Sequence, residues 1–282
     1  MKLDFIKMHG CGNDYVYIDC FKNKIDDPAS LAIKLSNRHF YIGGDGVILV
    51  CPSEVADAKM RMFNADGSEG KMCGNGIRCV AKFVYDNGIS KNNPMTIETL
   101  AGIKTITLEI KDGKAVGATV DMGAPIFNTK DVPVISEDDM IIGENLFVGG
   151  HNHKVTCVSM GNPHCVLFVP EGFDLWNFEI ESAGPRFEHD SIFPERVNTE
   201  FVKYIDPTHL EMRVWERGSG ETWACGTGTC ATVVAACANG LCEKNTDVKV
   251  KLRGGELTIR YTDDTVYMTG EAVEAFRGTV EL

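Results

Sequence analysis

The chain has 282 residues, 44% hydrophobic and 24% charged, with a formal net charge of −12. This is room for one large or two medium globular domains, and without a Lys/Arg-rich run the acidic balance excludes nucleic acid as a partner. No apolar run approaches the roughly 20 residues that span a bilayer, and the start MKLDFIKMHGCGNDY lacks the apolar core of a secretion signal.

A cytoplasmic protein with no membrane contact is therefore expected. Its eleven cysteines, an odd number without any CxxC spacing, are expected to be mostly reduced thiols packed as small hydrophobes. Cys79, Cys230 and Cys237 fall in apolar helical patterns and fit that role best.

In chain order, Gly12-Asn13 reads as a turn leading into the strand pattern Asp14-Tyr15-Val16-Tyr17-Ile18. Residues 27–37 read as a helix with Pro28 near its start and Leu31, Ile33 and Leu35 on an apolar face. Residues 60–76, MRMFNADGSEGKMCGNG, read as strand, loop and a Cys-Gly-x-Gly turn. A helix over 76–87 follows, with Ile77, Val80, Ala81, Phe83 and Val84 apolar and Gly88 at its C′ position. Residues 96–121 alternate as strands broken at Gly102 and Asp112-Gly113.

The same order then recurs. Gly161-Asn162 opens a second turn and strand. Residues 212–228, MRVWERGSGETWACGTG, align without a gap on 60–76, so that Cys225-Gly226-Thr227-Gly228 repeats Cys73-Gly74-Asn75-Gly76. The helix over 228–239 is apolar almost all round, which predicts burial on every side. Asn239-Gly240 matches Asn87-Gly88, and 248–269 matches 96–121. The repeat divides the chain into an N-terminal domain, 1–121, completed by 272–282, and a C-terminal domain, 122–271. Many strands and an enclosed helix in each half predict α/β (α+β) architecture: two pseudo-symmetric domains, each a curled mixed β-sheet around a central α-helix.

Each special cysteine stands where a helix begins. The first turn of a helix carries unpaired N–H groups and partial positive charge, and the following glycine lets a ligand approach the backbone. Such a site can bind a carboxylate and draw the thiol pKa toward neutrality. Two thiols around one α-carbon suit stereochemical inversion: a thiolate removes the α-proton from one face and a thiol returns a proton to the other. Cys-Gly-x-Gly is also a tight strand-to-helix turn with a buried cysteine, and one copy alone leaves the two readings equal. The duplication in register favours chemistry. Neither copy carries the Lys-Ser/Thr ending of a P-loop.

HGCGNDYVYID, FNADGSEGKMCGNGIRC, MGNPHCV, RVNTEFV and WERGSGETWACGTGTCA, in that order, resemble the diaminopimelate epimerase family over essentially the whole chain. The resemblance implies epimerisation of LL- to meso-2,6-diaminopimelate without pyridoxal phosphate, on the route to lysine and peptidoglycan precursor. It also implies no metal, and a homodimer with its site in the cleft between two domains. Carried over residue by residue, it makes Cys73 and Cys225 the acid–base pair, and Gly74, Asn75, Gly226 and Thr227 the carboxylate-binding helix starts. Asn13, Asn64, Asn162 and Asn198 become substrate contacts. Glu216 and Arg217 read the distal ammonium and carboxylate, and His164 and Glu216 tune the thiols. Taken singly, Asn13 and Asn162 are equally turn residues, Asn198 a loop cap, Glu216-Arg217 a solvated pair and His164 a structural strand histidine. Many bacterial members carry Gln in the segment that here reads Gly43-Gly44-Asp45-Gly46, so the absence of a side chain at Gly46 removes one contact.

Proline racemase-like enzymes resemble a MCGHG form of the first block, whereas Asn75 and Glu216-Arg217 here favour a dibasic, diacidic substrate. A non-catalytic thiol protein, holding zinc or sensing redox state, is the reading from another class. The missing CxxC and sparse Cys/His pairing argue against structural zinc.

Overall fold

The computed structural model describes residues 2–148 and 150–282. The chain forms two compact units, Met1–Asp121 with Thr269–Leu282, and Met122–Met268.

In the first unit, β1 (Lys2–Gly10) and β2 (Asn13–Asp19) are antiparallel, and α1 (Pro28–Leu35) crosses to β3 (Gly46–Cys51), parallel to β2. β4 (Ala58–Asn64) returns antiparallel and carries the short β5 (Glu69–Gly70). α2 (Gly74–Asp86) crosses to β6 (Met95–Thr99), parallel to β4, and β7 (Gly102–Lys111) and β8 (Lys114–Asp121) complete an antiparallel meander.

The second unit follows the same path. β9 (Ile142–Val148) flanks β10 (His151–Ser159), which is antiparallel to β11 (Pro163–Phe168). α3 (Ile180–Glu188) crosses to β12 (Asn198–Asp206), parallel to β11. β13 (His209–Glu216) returns antiparallel with β14 (Gly220–Thr222) on its edge. α4 (Gly226–Ala238) crosses to β15 (Asp247–Leu252), parallel to β13, and β16 (Gly255–Tyr261) is antiparallel to it. β17 (Val266–Glu271) carries the chain back to the first unit, where β18 (Val273–Glu281) pairs with β1. Parallel neighbours require crossover connections. Both units place a helix at the same two crossovers, giving the mixed α/β architecture expected from the repeat, mostly strand with four α-helices among the described residues.

The central helices are enclosed as their composition dictates. α2 packs against β1, β2, β3, β4, β6, β7 and β8, and is buried from Gly74 through Val84. α4 packs against β10, β11, β12, β13 and β16, and its Gly, Ala, Thr, Val and Cys side chains leave Gly228 to Ala236 buried. Burying a valine such as Val233 or Val234 stabilises by about 1.5–3 kcal/mol relative to exposure. Both helices end alike. Asn87 and Asn239 cap the last turn through Nδ2 bonds to Phe83 and Ala235 carbonyls, each 2.8 Å. Gly88 and Gly240 then take φ of +71° and +70°, and their N–H groups and those of Ile89 and Leu241 close a Schellman motif.

Three local expectations are corrected. The central helices start two residues before the expected 76 and 228, because the cysteines themselves are the N-caps and the glycines lie in the first turn. In α1, Asp27 caps the Ser30 N–H at 3.1 Å and Leu31 and Leu35 are buried, but Ile33 is 54% exposed on the outer side. Cys79 and Cys230 are fully buried, while Cys237, near the end of α4, is only half-buried.

Candidate active site

In the first unit, Cys73 is the N-cap of α2 with extended backbone (φ −129°, ψ 118°), and its Sγ accepts from the Gly76 N–H at 3.3 Å. The thiol donates to Asn13 Oδ1 at 3.2 Å, and Asn13 Nδ2 donates to Asp45 Oδ2 at 2.8 Å. Asp45 also accepts from the Asp14 N–H and from Arg38. Burial and then the neighbouring Asp14 charge hold the Asp45 carboxyl above its ordinary range, against the opposing Asp14 N–H bond. Burial would push Asp14 up as well, but bonds from Arg38 and Lys7 outweigh it and leave Asp14 low. The buried Tyr15 hydroxyl is pushed up by burial, then by the Cys73 and Asp45 charges.

Asn75 points inward. Its Oδ1 accepts from Arg78 Nη2 at 3.1 Å, and Arg78, fully buried, also donates to the Gly74 and Glu271 carbonyls at 3.3 Å. A buried guanidinium is tolerated only with acceptors around it. Here three of them tie the first turn of α2 in place. Gly10 makes the room: a Cβ there would lie 2.7 Å from Arg78 Nη2.

In the second unit, Cys225 caps α4 with nearly the same backbone (φ −117°, ψ 111°), and Sγ accepts from the Gly228 N–H at 3.3 Å. Thr227 Oγ1 lies 3.4 Å from the sulfur. Glu216, at the end of β13, accepts from the Thr222 hydroxyl. Burial raises the Glu216 carboxyl, opposed by bonds from Thr222 and Cys225 and by the His164 charge. The expectation of a lowered thiol fails here. Burial, then the charges of Glu216 and Glu200, push Cys225 well up, and Thr227 and the Gly228 N–H only partly oppose them. His164 is fully buried, with Nδ1 2.6 Å from Glu200 Oε1 and Nε2 3.0 Å from Asn162 Oδ1.

The remaining candidates divide. Asn198 opposes His164 across the β11–β12 pair, and its Oδ1 accepts from the Arg217 N–H at 2.9 Å. Its Nδ2 is buried without a partner. Arg217 itself is held by the Glu195 carbonyl at 2.9 Å, and Glu188 anchors the adjoining turn through Gly218 N–H, Trp215 Nε1 and Arg196. Asn64 lies at the end of β4, where its Nδ2 bonds Ser68 Oγ at 3.0 Å within the loop to β5. Thus Cys73, Asn13, Gly74 and Asn75 gather in one unit. Cys225, Gly226, Thr227, Glu216, Asn162, His164, Asn198 and Arg217 gather in the other, and Asn64 engages its own loop. Gly46 accepts no side chain where it stands: a Cβ would meet the Phe63 carbonyl oxygen at 2.1 Å and the Tyr15 ring at 2.9 Å. Asp45 presents a carboxylate to Asn13 instead.

Sequence reasoning missed Tyr15, Asp45, Arg78 and Glu200. Arg78 and Glu200 carried a usable signal, each being a charge flanked by apolar residues, Ile77 and Cys79-Val80 in α2 and Phe201-Val202 in β12. Among the described residues, no three His, Cys, Asp or Glu side chains gather as a metal-binding group, and no helix is long and apolar enough to cross a membrane.

The sequence matches the family model described as diaminopimelate epimerase over residues 5–128 and 156–274. It is 52% identical over 280 residues to a diaminopimelate epimerase of Acetivibrio thermocellus, covering 99% of this chain and 98% of that one. Similar solved structures include a phenazine biosynthesis protein of the PhzF family from Bacillus anthracis (TM-score 0.71, 19% identity, all of both chains). A probable proline racemase from Agrobacterium radiobacter is also similar (TM-score 0.70, 16% identity, 99% of this chain and 93% of that one). At these identities the two structures establish a shared fold. Family model and full-length identity together establish more: the chain belongs to the diaminopimelate epimerase family and is an isomerase.

Proposed function

We propose that this enzyme epimerises LL-2,6-diaminopimelate to the meso form by a two-base mechanism, with Cys73 and Cys225 serving opposite faces of one α-carbon. The observation that carries the proposal is the duplicated thiol-capped helix start, in a chain 52% identical over its length to a diaminopimelate epimerase. Burial and two carboxylates favour the protonated form of Cys225, which suits it to begin as the acid. Cys73 begins as the base once it has given up the proton that its thiol directs at Asn13. The Cys73 thiolate takes the α-proton and becomes a thiol. The electron pair is delocalised into the substrate carboxylate, and Cys225 then donates its proton to the opposite face and is left as the thiolate.

The carboxylate is held at the first-turn N–H groups of Gly74-Asn75 and Gly226-Thr227, which stabilise the developing charge as an oxyanion hole does. Asn13, Asn64 and Asn162 supply neutral donors and acceptors. Asn198 contributes its buried, unpartnered Nδ2. Arg217 takes the distal carboxylate with its planar fork and Glu216 the distal ammonium. His164 and Glu216 tune Cys225. Pyridoxal phosphate has no role in this scheme. We place the enzyme in the cytoplasm, as a homodimer, on the route to lysine and peptidoglycan precursor. Incubating the reduced protein with LL-diaminopimelate and separating stereoisomers by chiral chromatography tests the reading. Formation of the meso isomer is expected, and its absence with folded, reduced protein would overturn it.

A further inference from the structure

The two units correspond strand for strand, and one difference between them lies directly beside the cysteines. Tyr15 opposes Gly46 across the parallel β2–β3 pair, as His164 opposes Asn198 across β11–β12. Two residues along β3 and β12 stand Ile48 and Glu200. Each lies against the glycine that bonds the cysteine sulfur. A Cβ on Gly76 would meet Ile48 Cδ1 at 2.7 Å, and a Cβ on Gly228 would meet Glu200 Oε1 at 2.6 Å and Cys225 Sγ at 3.2 Å. The place filled by a methyl group beside Cys73 is therefore filled by a carboxylate beside Cys225.

Packing does not call for that carboxylate. Glu200 is fully buried, one of its oxygens has no partner, and an aliphatic side chain fills the equivalent place in the first unit. A buried carboxylate is costly unless paired. The pairing observed is with His164 Nδ1 at 2.6 Å, and His164 in turn reaches Asn162 through Nε2 at 3.0 Å. Glu200, His164 and Asn162 form a line ending at a residue beside the proposed substrate.

We propose that Glu200 is a positioning residue: it holds His164 with the Nδ1 proton directed at its carboxylate and Nε2 turned to Asn162, and it sets a negative charge beside Cys225 where Cys73 has Ile48. This rests on the acid–base reading of Cys225. A two-base reaction needs one thiol and one thiolate, and unequal surroundings separate two otherwise equivalent groups. The charged groups that act on Cys225 within its unit are Glu216 from β13 and Glu200 from β12, and His164 from β11 acts in turn on Glu216. Cys165 of β11 flanks Glu200 and is itself pushed up by Cys157, by burial and by Glu200.

The test uses Glu200→Gln, which keeps shape and removes charge, and Glu200→Ile, which installs the side chain of the first unit. Both are checked for folding by circular dichroism. The rate of iodoacetamide alkylation of each cysteine is followed against pH by peptide mass spectrometry, without substrate, and the His164 ring is followed by 15N NMR. The Cys225 profile is expected to move to lower pH in both variants, because a charge that favours the thiol is gone. Cys73 should not move, and the wild-type Nδ1 proton signal of His164 should be lost in Glu200→Ile. An unmoved Cys225 profile in both variants, or an equal movement of the two cysteines, would overturn the proposal. Alkylation needs no turnover, so a failure to epimerise diaminopimelate would sink the functional reading without touching this result. Normal epimerisation with unmoved profiles would sink the role of Glu200 alone.

Discussion

Cys73 and Cys225 share a backbone conformation and differ in what surrounds them. Cys73 donates to Asn13, whereas Cys225 is buried and faces Glu216 and Glu200. A repeat in sequence identifies the pair of thiols, because identical local turns need identical residues. It does not reveal their surroundings, because those are set by residues far along the chain. Asp45 reaches Asn13 across 32 positions and Glu200 reaches His164 across 36. Gly46 shows the same limit: read as a lost contact, it is a position where strand pairing leaves no space for a side chain. At this scale, Cys73→Ala and Cys225→Ala should each lower epimerisation by about 10²–10⁴-fold while leaving circular dichroism unchanged, since each face of the carbon needs its own proton carrier. Near-wild-type turnover in chiral assays of either variant would end the two-base account. Arg217→Lys should raise KM with little change in kcat, because Lys lacks the planar fork for a carboxylate. An unchanged KM would remove Arg217 from the distal end of the substrate.

The elements carry the symmetry further than the residues do. α2 and α4 were legible from apolar periodicity and from the Asn-Gly ends, and both end in the same cap. Their starts were misplaced by two residues because a cysteine is not an ordinary N-cap. Its sulfur fills the role that Ser or Asp oxygen usually takes, accepting from the third residue's N–H. Ile33 was misassigned because a short helix of eight residues, Pro28–Leu35, buries only one narrow face. Gly240→Ala should lower stability by about 1 kcal/mol, measured by urea denaturation. Nothing within 4 Å of Gly240 would meet the added methyl, so the loss is purely the cost of the left-handed conformation. Within α2, burial pushes the Cys79 thiol up to about 11. A thiol whose folded value lies above its unfolded value near 8.5 contributes stability in full below that unfolded value. That contribution is lost as pH rises toward the folded value. Denaturation midpoints should therefore fall between about pH 8.5 and 11, and fall less in Cys79→Ala.

At the level of the whole molecule, the fold class was legible because one strand–helix pattern occurs twice, and a pattern that cannot bury its central helix alone must wrap a sheet around it. The order of parallel and antiparallel pairs was not legible, since crossovers and hairpins with similar turn residues produce similar local sequence. What the molecule does with its two thiols is the central claim, and proton bookkeeping tests it most directly. In heavy water, each inversion of LL-diaminopimelate should place deuterium from a solvent-exchanged thiol on the inverted α-carbon, read by NMR and mass spectrometry from the first turnovers. The distal α-carbon should stay unlabelled. Inverted product that keeps its original proton stoichiometrically from the first turnover would contradict two-base catalysis by Cys73 and Cys225.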